Sequence, residues 1–82
     1  MTSDVQPVAV VTGGARGIGL AIGQWFLAHG HKLVLLDIDQ TTLAATGQSL
    51  GRPDDVLCLP TDVSQPEQVQ AAADQVMARW GR

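Results

Sequence analysis

Three short apolar runs, each followed by a segment of helical spacing, set the rhythm of the chain. Val8-Ala9-Val10-Val11 is a continuous β-prone run without polar alternation, the pattern of a parallel strand covered on both faces. After Thr12-Gly13-Gly14-Ala15-Arg16-Gly17, apolar residues at Ile18, Ala21, Ile22, Trp25 and Phe26 recur at spacings of three and four, predicting a helix closed by Gly30. Leu33-Val34-Leu35-Leu36 is a second buried strand ending at Asp37, and Asp39 is placed to cap a helix through Thr42, Leu43, Ala44 and Leu50. The turn Gly51-Arg52-Pro53-Asp54 leads to a third strand, Val56-Leu57-Cys58-Leu59, stopped by Pro60 and followed by Asp62-Val63. Ser64 and Glu67 have capping-box spacing ahead of a last helix whose one face carries Val69, Ala72, Ala73, Val76, Met77 and Trp80. The order βαβαβα implies parallel pairing through right-handed crossovers, hence an α/β sandwich.

Composition narrows the class. The chain has 82 residues, 45% hydrophobic and 16% charged, which fits one small globular domain and excludes an intrinsically disordered chain. Its apolar runs fall far short of the roughly 18 residues of a spanning helix. Asp4 with no basic cluster does not read as a secretory signal, so a cytoplasmic location and no membrane partner are expected. The net charge is −3, and Arg16, Lys32, Arg52, Arg79 and Arg82 are scattered, so no nucleic-acid footprint appears. Cys58 is alone, which excludes an internal disulfide and a thiolate zinc site and suits a reducing compartment. A chain this short buries only about 60% of the surface its unfolded form exposes.

The candidate chemistry lies between the first strand and the first helix. Gly13, Gly14, Gly17 and Gly19 fall within seven residues at a strand C-terminus, where bare backbone and the positive helix end can approach a phosphate. The alternative is a tight strand-to-helix turn without a ligand. A Walker A loop is excluded, because Gly14 is followed five residues later by Gly19-Leu20 and not by Gly-Lys-Ser/Thr, and G-x-G-x-x-G also fails to match.

Thr12-Gly13-Gly14-Ala15-Arg16-Gly17-Ile18-Gly19 resembles the T-G-x-x-x-G-[IL]-G cofactor loop of the short-chain dehydrogenase/reductases, and the resemblance runs from about Val5 to Arg82. It implies a Rossmann-type βαβαβα half-fold with a parallel sheet, a three-layer sandwich when complete. By that resemblance Gly13 and Gly17 shape the loop, while Ile18 and Gly19 present backbone groups to the pyrophosphate. Arg16 lies by the adenosine ribose, Asp37 accepts from the ribose hydroxyls, and Asp62 and the Val63 backbone meet the adenine. The implied activity is hydride transfer between a nicotinamide dinucleotide and a small alcohol or carbonyl substrate. Asp37 favours NAD, because a carboxylate there bonds a ribose 2′-OH and repels a 2′-phosphate. Asp39 adds to the repulsion if it faces the same side, whereas Arg16 argues for NADP.

The family's catalytic tyrosine has no counterpart, since the chain holds no tyrosine, and its only lysine, Lys32, stands on the second strand. Residues 1–82 therefore read as the N-terminal part of a single NAD(P)-binding domain, truncated before the fourth strand. No catalytic residue is assigned, no turnover is expected from this chain alone, and oligomers are expected only with later helices. The first strand, central in the whole fold, would keep an unpaired edge here, which predicts marginal folding or aggregation. His29 and His31 do not make a metal pair, no metal site is assigned, Cys58 reads as a small buried hydrophobe, and Trp25, Phe26 and Trp80 read as core. Two rivals stand beside the enzyme reading. One is a non-catalytic nucleotide-binding or interaction module; the other is an S-adenosylmethionine methyltransferase, disfavoured because Val11-Thr12 offers no acid before the glycines.

Overall fold

The computed structural model describes residues 6–81 as β1 (Val8–Thr12), α1 (Gly17–Ala28), β2 (Lys32–Asp37), α2 (Gln40–Leu50), β3 (Val56–Pro60) and α3 (Pro66–Trp80). The ends of the expected 1–82 unit, with Asp4, Val5 and Arg82, lie outside the described residues. The strands form one parallel sheet in the order β1-β2-β3, with Val10 opposite Val34 and Val34 opposite Leu57.

The middle strand explains its own sequence. Leu33, Val34, Leu35 and Leu36 are all buried, because β2 has a neighbour on each edge and helices on each face. The pleat sends Leu33 and Leu35 to one side, among Ala9, Val11, Leu27 of α1 and Leu43 of α2. Val34 and Leu36 go to the other side, with Leu59 and with Ala72 and Val76 of α3. Three layers result, α1 and α2 over one face of the sheet and α3 over the other, which is the Rossmann-type arrangement expected. Full burial of each large side chain such as Leu33, Leu35 or Leu43 contributes about 1.5–3 kcal/mol.

The helix ends follow from their sequences with one exception. Gly30 takes φ +82°, and the His31 amide donates to the Phe26 carbonyl at 3.1 Å, closing α1 as a Schellman turn. Asp39 caps α2 by accepting from the Thr42 amide at 3.1 Å. The capping box at Ser64 and Glu67 does not form: α3 starts one residue later, with Gln65 as cap and Pro66 in the first turn. Proline's fixed φ sets that start, and Ser64 turns instead to Asp62. Pro60, expected to stop the third strand after Leu59, is instead the last residue of β3, which is tolerated because β3 is an edge strand.

A second correction concerns α1. The apolar stripe read from the sequence faces outward: Ile18 is 80% exposed and Trp25 56%, so Trp25 is not core. The buried residues of α1 are Gly23 and Leu27. A Cβ at Gly23 would stand 3.1 Å from Leu35 and 3.2 Å from Leu33, so the missing side chain lets the helix lie close on β2. Phe26 and Trp80 pack at the edges of the two core clusters, as expected.

Candidate functional site

The sequence-predicted site residues gather at the C-terminal ends of the three strands, the end at which open parallel sheets bind ligands. Gly13 and Gly17 adopt φ +63° and +62°, a region L side chains avoid, and beyond the adjoining backbone no atom lies within 4 Å of where a Cβ would stand at either. Gly19 is required for another reason. A Cβ there would come within 2.1 Å of the Gly13 carbonyl oxygen, so the loop folds onto the start of α1 only because Gly19 is bare. The result is a floor of exposed backbone with open space above it. The first amides of α1 lack partners within the helix, and its first turn holds no acid, so the positive helix end is uncompensated from within.

The loop is clamped from below. The Gly14 amide donates to the Leu36 carbonyl at 3.2 Å and the Ala15 amide to Asp37 Oδ2 at 3.1 Å. The buried Thr46 hydroxyl, from α2, donates to the Ala15 carbonyl at 2.5 Å. Thr46 was not singled out from the sequence. Its signal was a polar residue three positions after Leu43, on the inward side of α2.

Asp37 does two jobs at the end of β2. Its Oδ2 holds the Ala15 amide, and its Oδ1 accepts from the Asp39 amide at 3.0 Å. A carboxylate offers about four acceptor positions, so two remain for a ligand. One strand along, the Thr61 amide donates to the Asp37 carbonyl at 2.9 Å and orders the β3 end beside it. Asp62 Oδ1 accepts from the Ser64 hydroxyl at 2.6 Å and the Ser64 amide at 3.0 Å, bonds that hold its carboxyl below the usual carboxylate range.

Between these strand ends lies a crevice of about 230 Å³, lined by Gly13, Leu36, Asp37, Ile38, Thr61, Asp62 and Val63. The structure thus brings Gly13, Asp37, Asp62 and Val63 around one space, with Gly17, Ile18 and Gly19 beside it at the start of α1. Arg16 takes no part in the lining; its Nη2 donates to Asp39 Oδ2 at 2.5 Å. The bare glycine floor and the uncompensated helix end could hold an anion, and the two remaining acceptor positions on Asp37 could hold hydroxyl groups.

The other candidates are absorbed by structure. Lys32 sits at the opposite end of β2, five residues and about 16 Å from Asp37 at strand rise, with its Nζ donating to Asp55 Oδ1 at 2.6 Å. That bond lowers the Asp55 carboxyl from its ordinary value. His29 stacks on Trp25 with ring centres 3.8 Å apart. Burial pushes the Cys58 thiol up, away from the reactive thiolate. Among the described residues, no cluster of three or more metal-ligating side chains occurs, and no helix is long and apolar enough to cross a membrane.

The comparisons agree with this geometry. Residues 7–82 match the family described as short chain dehydrogenase. An uncharacterized oxidoreductase of Mycobacterium bovis is 40% identical over 73 residues, 89% of this chain and 30% of the relative. A short chain dehydrogenase/reductase from Burkholderia phymatum, solved in complex with NAD, superposes with a TM-score of 0.84 at 38% identity over 100% of this chain and 30% of that one. The 3-ketoacyl-(acyl-carrier-protein) reductase of Brucella melitensis, solved with NADH, gives 0.86 at 28% identity, covering 98% of this chain and 32% of its own. The chain spans under a third of the length of the curated relatives it matches. A parallel βαβαβα sheet, a bare glycine loop and an acid closing the second strand, together with the match over residues 7–82, make this chain a member of the short chain dehydrogenase family.

Proposed function

We propose that this chain is the adenosine- and pyrophosphate-binding front of an NAD(P)-dependent oxidoreductase, which moves a hydride between a nicotinamide and a small alcohol or carbonyl. The crevice at the strand ends carries the reading, because the glycine floor and Asp37 meet there. Gly13, Gly17, Ile18 and Gly19 would hold the pyrophosphate, Asp37 the adenosine ribose, and Asp62 with Val63 the adenine. NAD is preferred over NADP. Two acidic residues, Asp37 and Asp39, stand at the ribose corner against one basic residue, Arg16. The NAD and NADH complexes of the Burkholderia and Brucella proteins support a nicotinamide dinucleotide as the ligand.

The 82 residues alone are expected to bind without turnover, since they hold no tyrosine and their one lysine is engaged by Asp55 at the far end of β2. By this reading residues 1–82 are the N-terminal part of a single NAD(P)-binding domain, and the protein is cytoplasmic. Titration calorimetry with NAD tests it. Saturable binding that Gly19→Val abolishes is expected, and absence of binding by a folded chain would sink it. A non-catalytic nucleotide-binding module shares these observations. The source reading frame past codon 82 separates the two: continuation through a Tyr-x-x-x-Lys element supports the enzyme, and a stop codon supports the module.

A further inference from the structure

The three strand ends of the crevice are not held alike. Those of β1 and β2 are tied to each other and to α2, through Ala15, Asp37 and Thr46. The β3 end is tied to the sheet at Thr61, whose amide reaches the Asp37 carbonyl and whose buried hydroxyl donates to the Leu59 carbonyl at 2.9 Å. Beyond Thr61 the chain leaves the sheet. Asp62 and Val63, which line the crevice, stand on the loop that follows, with Val63 54% exposed.

One side chain reaches this loop from the body of α3. Gln68, the third residue of that helix, turns back six positions, and its Oε1 accepts from the Asp62 amide at 2.8 Å. The bonds that Asp62 makes with Ser64 and with the Gln65 amide close the turn on itself, whereas the Gln68 bond fastens it to the helix. Packing does not fix the loop in place. Behind Thr61 lies a hollow of about 110 Å³, bordered by Leu59, Gln68 and Ala71, so the β3 end has room to shift. A neutral hydrogen bond at so exposed a site adds little to global stability, but it selects one position of the loop from those the hollow allows.

We propose that Gln68 is a positioning residue of the crevice: acting through the Asp62 amide it holds Asp62 and Val63 at the wall, so that the adenine half of a bound dinucleotide depends on it and the pyrophosphate half does not. This rests on the crevice being a dinucleotide site. Gln68 takes no part in the lining, so its effect is exerted through the loop. The division between the two halves follows from the fastenings, because the glycine loop is held from β2 and α2, while α3 holds the loop after β3.

The test is a titration of the 82-residue chain with NAD, AMP and inorganic pyrophosphate, followed by amide NMR, for the native sequence, Gln68→Met and Gln68→Glu. Methionine keeps the length of the side chain without its oxygen, and glutamate restores an acceptor oxygen at the same reach. Gln68→Met should weaken NAD and AMP about fivefold, the scale of one neutral hydrogen bond, leave pyrophosphate unchanged and speed hydrogen exchange at the Asp62 amide. Gln68→Glu should recover most of the loss. Gln68→Ala, a strong helix former, repeats the measurement if the methionine variant does not fold. A smaller folded fraction lowers all three affinities by one factor, so equal losses with pyrophosphate included would overturn the proposal. Unchanged NAD and AMP affinities, or a loss that glutamate does not repair, would overturn it too. A native chain that binds pyrophosphate but neither AMP nor NAD, or that binds none of the three, would instead remove the dinucleotide reading, and this proposal with it.

Discussion

The two faces of the sheet are finished to different degrees. Under α1 and α2, Leu33, Leu35 and Leu43 are sealed, and contact is so close that a Cβ at Gly47 would stand 2.9 Å from the Cys58 sulfur. Under α3 the burial is partial. Ala72 and Val76 of that helix are buried, but Val10 is 54% and Met77 55% exposed along an apolar groove of about 290 Å³ between β1 and α3. The loop that forms the candidate site is fastened to the sealed face, through Ala15, Thr46 and Leu35. The glycine loop therefore depends on the closed side of the molecule, whereas Leu36 of the crevice lining belongs to the open one.

Substitutions on the two faces should break or sharpen that contrast. The largest effect is expected at Leu35→Ala, where a cavity in the sealed face costs about 2–5 kcal/mol, against under about 1 kcal/mol for Met77→Ala in the groove. Urea melts followed by circular dichroism measure both, and equal losses would dissolve the distinction. Next comes Thr46→Val, which leaves the Ala15 carbonyl without its buried donor at a cost of about 1–3 kcal/mol. It should also weaken NAD binding, which calorimetry reads, whereas Met77→Ala should not.

The open face predicts association. The β1 edge and the groove beside it should make the isolated chain marginal and concentration-dependent in its assembly, and Val10→Lys should reduce assembly in sedimentation runs. A cooperative melt independent of concentration in the native chain would count against this. The smallest effect is in acid. Asp39, Asp55 and Asp62 have folded-state pKa values below the ordinary 3.8, so their contribution is fully present above that value and is lost as pH falls through it and the lower folded values. Melting temperature should be flat from about pH 7 to 5 and decline below about pH 4. A decline starting near neutrality would assign the loss to other groups.

Much of this was legible from residue order. The β2 run, Asp37 at its end, the glycine loop and the Asp39 cap all announce themselves, because each depends on local chemistry: continuous burial, bare backbone, a short acceptor side chain. The inward face of α1 did not. Hydrophobic spacing points to Ile18, Ile22 and Trp25, yet the helix approaches the sheet through Gly23 and Leu27, and a glycine has no hydrophobicity with which to mark its side. The start of α3 was misplaced because Pro66 fixes it more firmly than a serine cap competes for it. Thr46 escaped notice since its value lies in a partner 31 residues away.

The double clasp on Asp37 bears on how such a site can change over evolutionary time. A residue that supports two backbone amides and also faces the crevice cannot be exchanged in one step without loosening the loop it serves. Asp39 is freer, since asparagine or serine can take over its cap. A lineage altering the ribose corner would be expected to change position 39 first and position 37 only after another acceptor had arisen for Ala15.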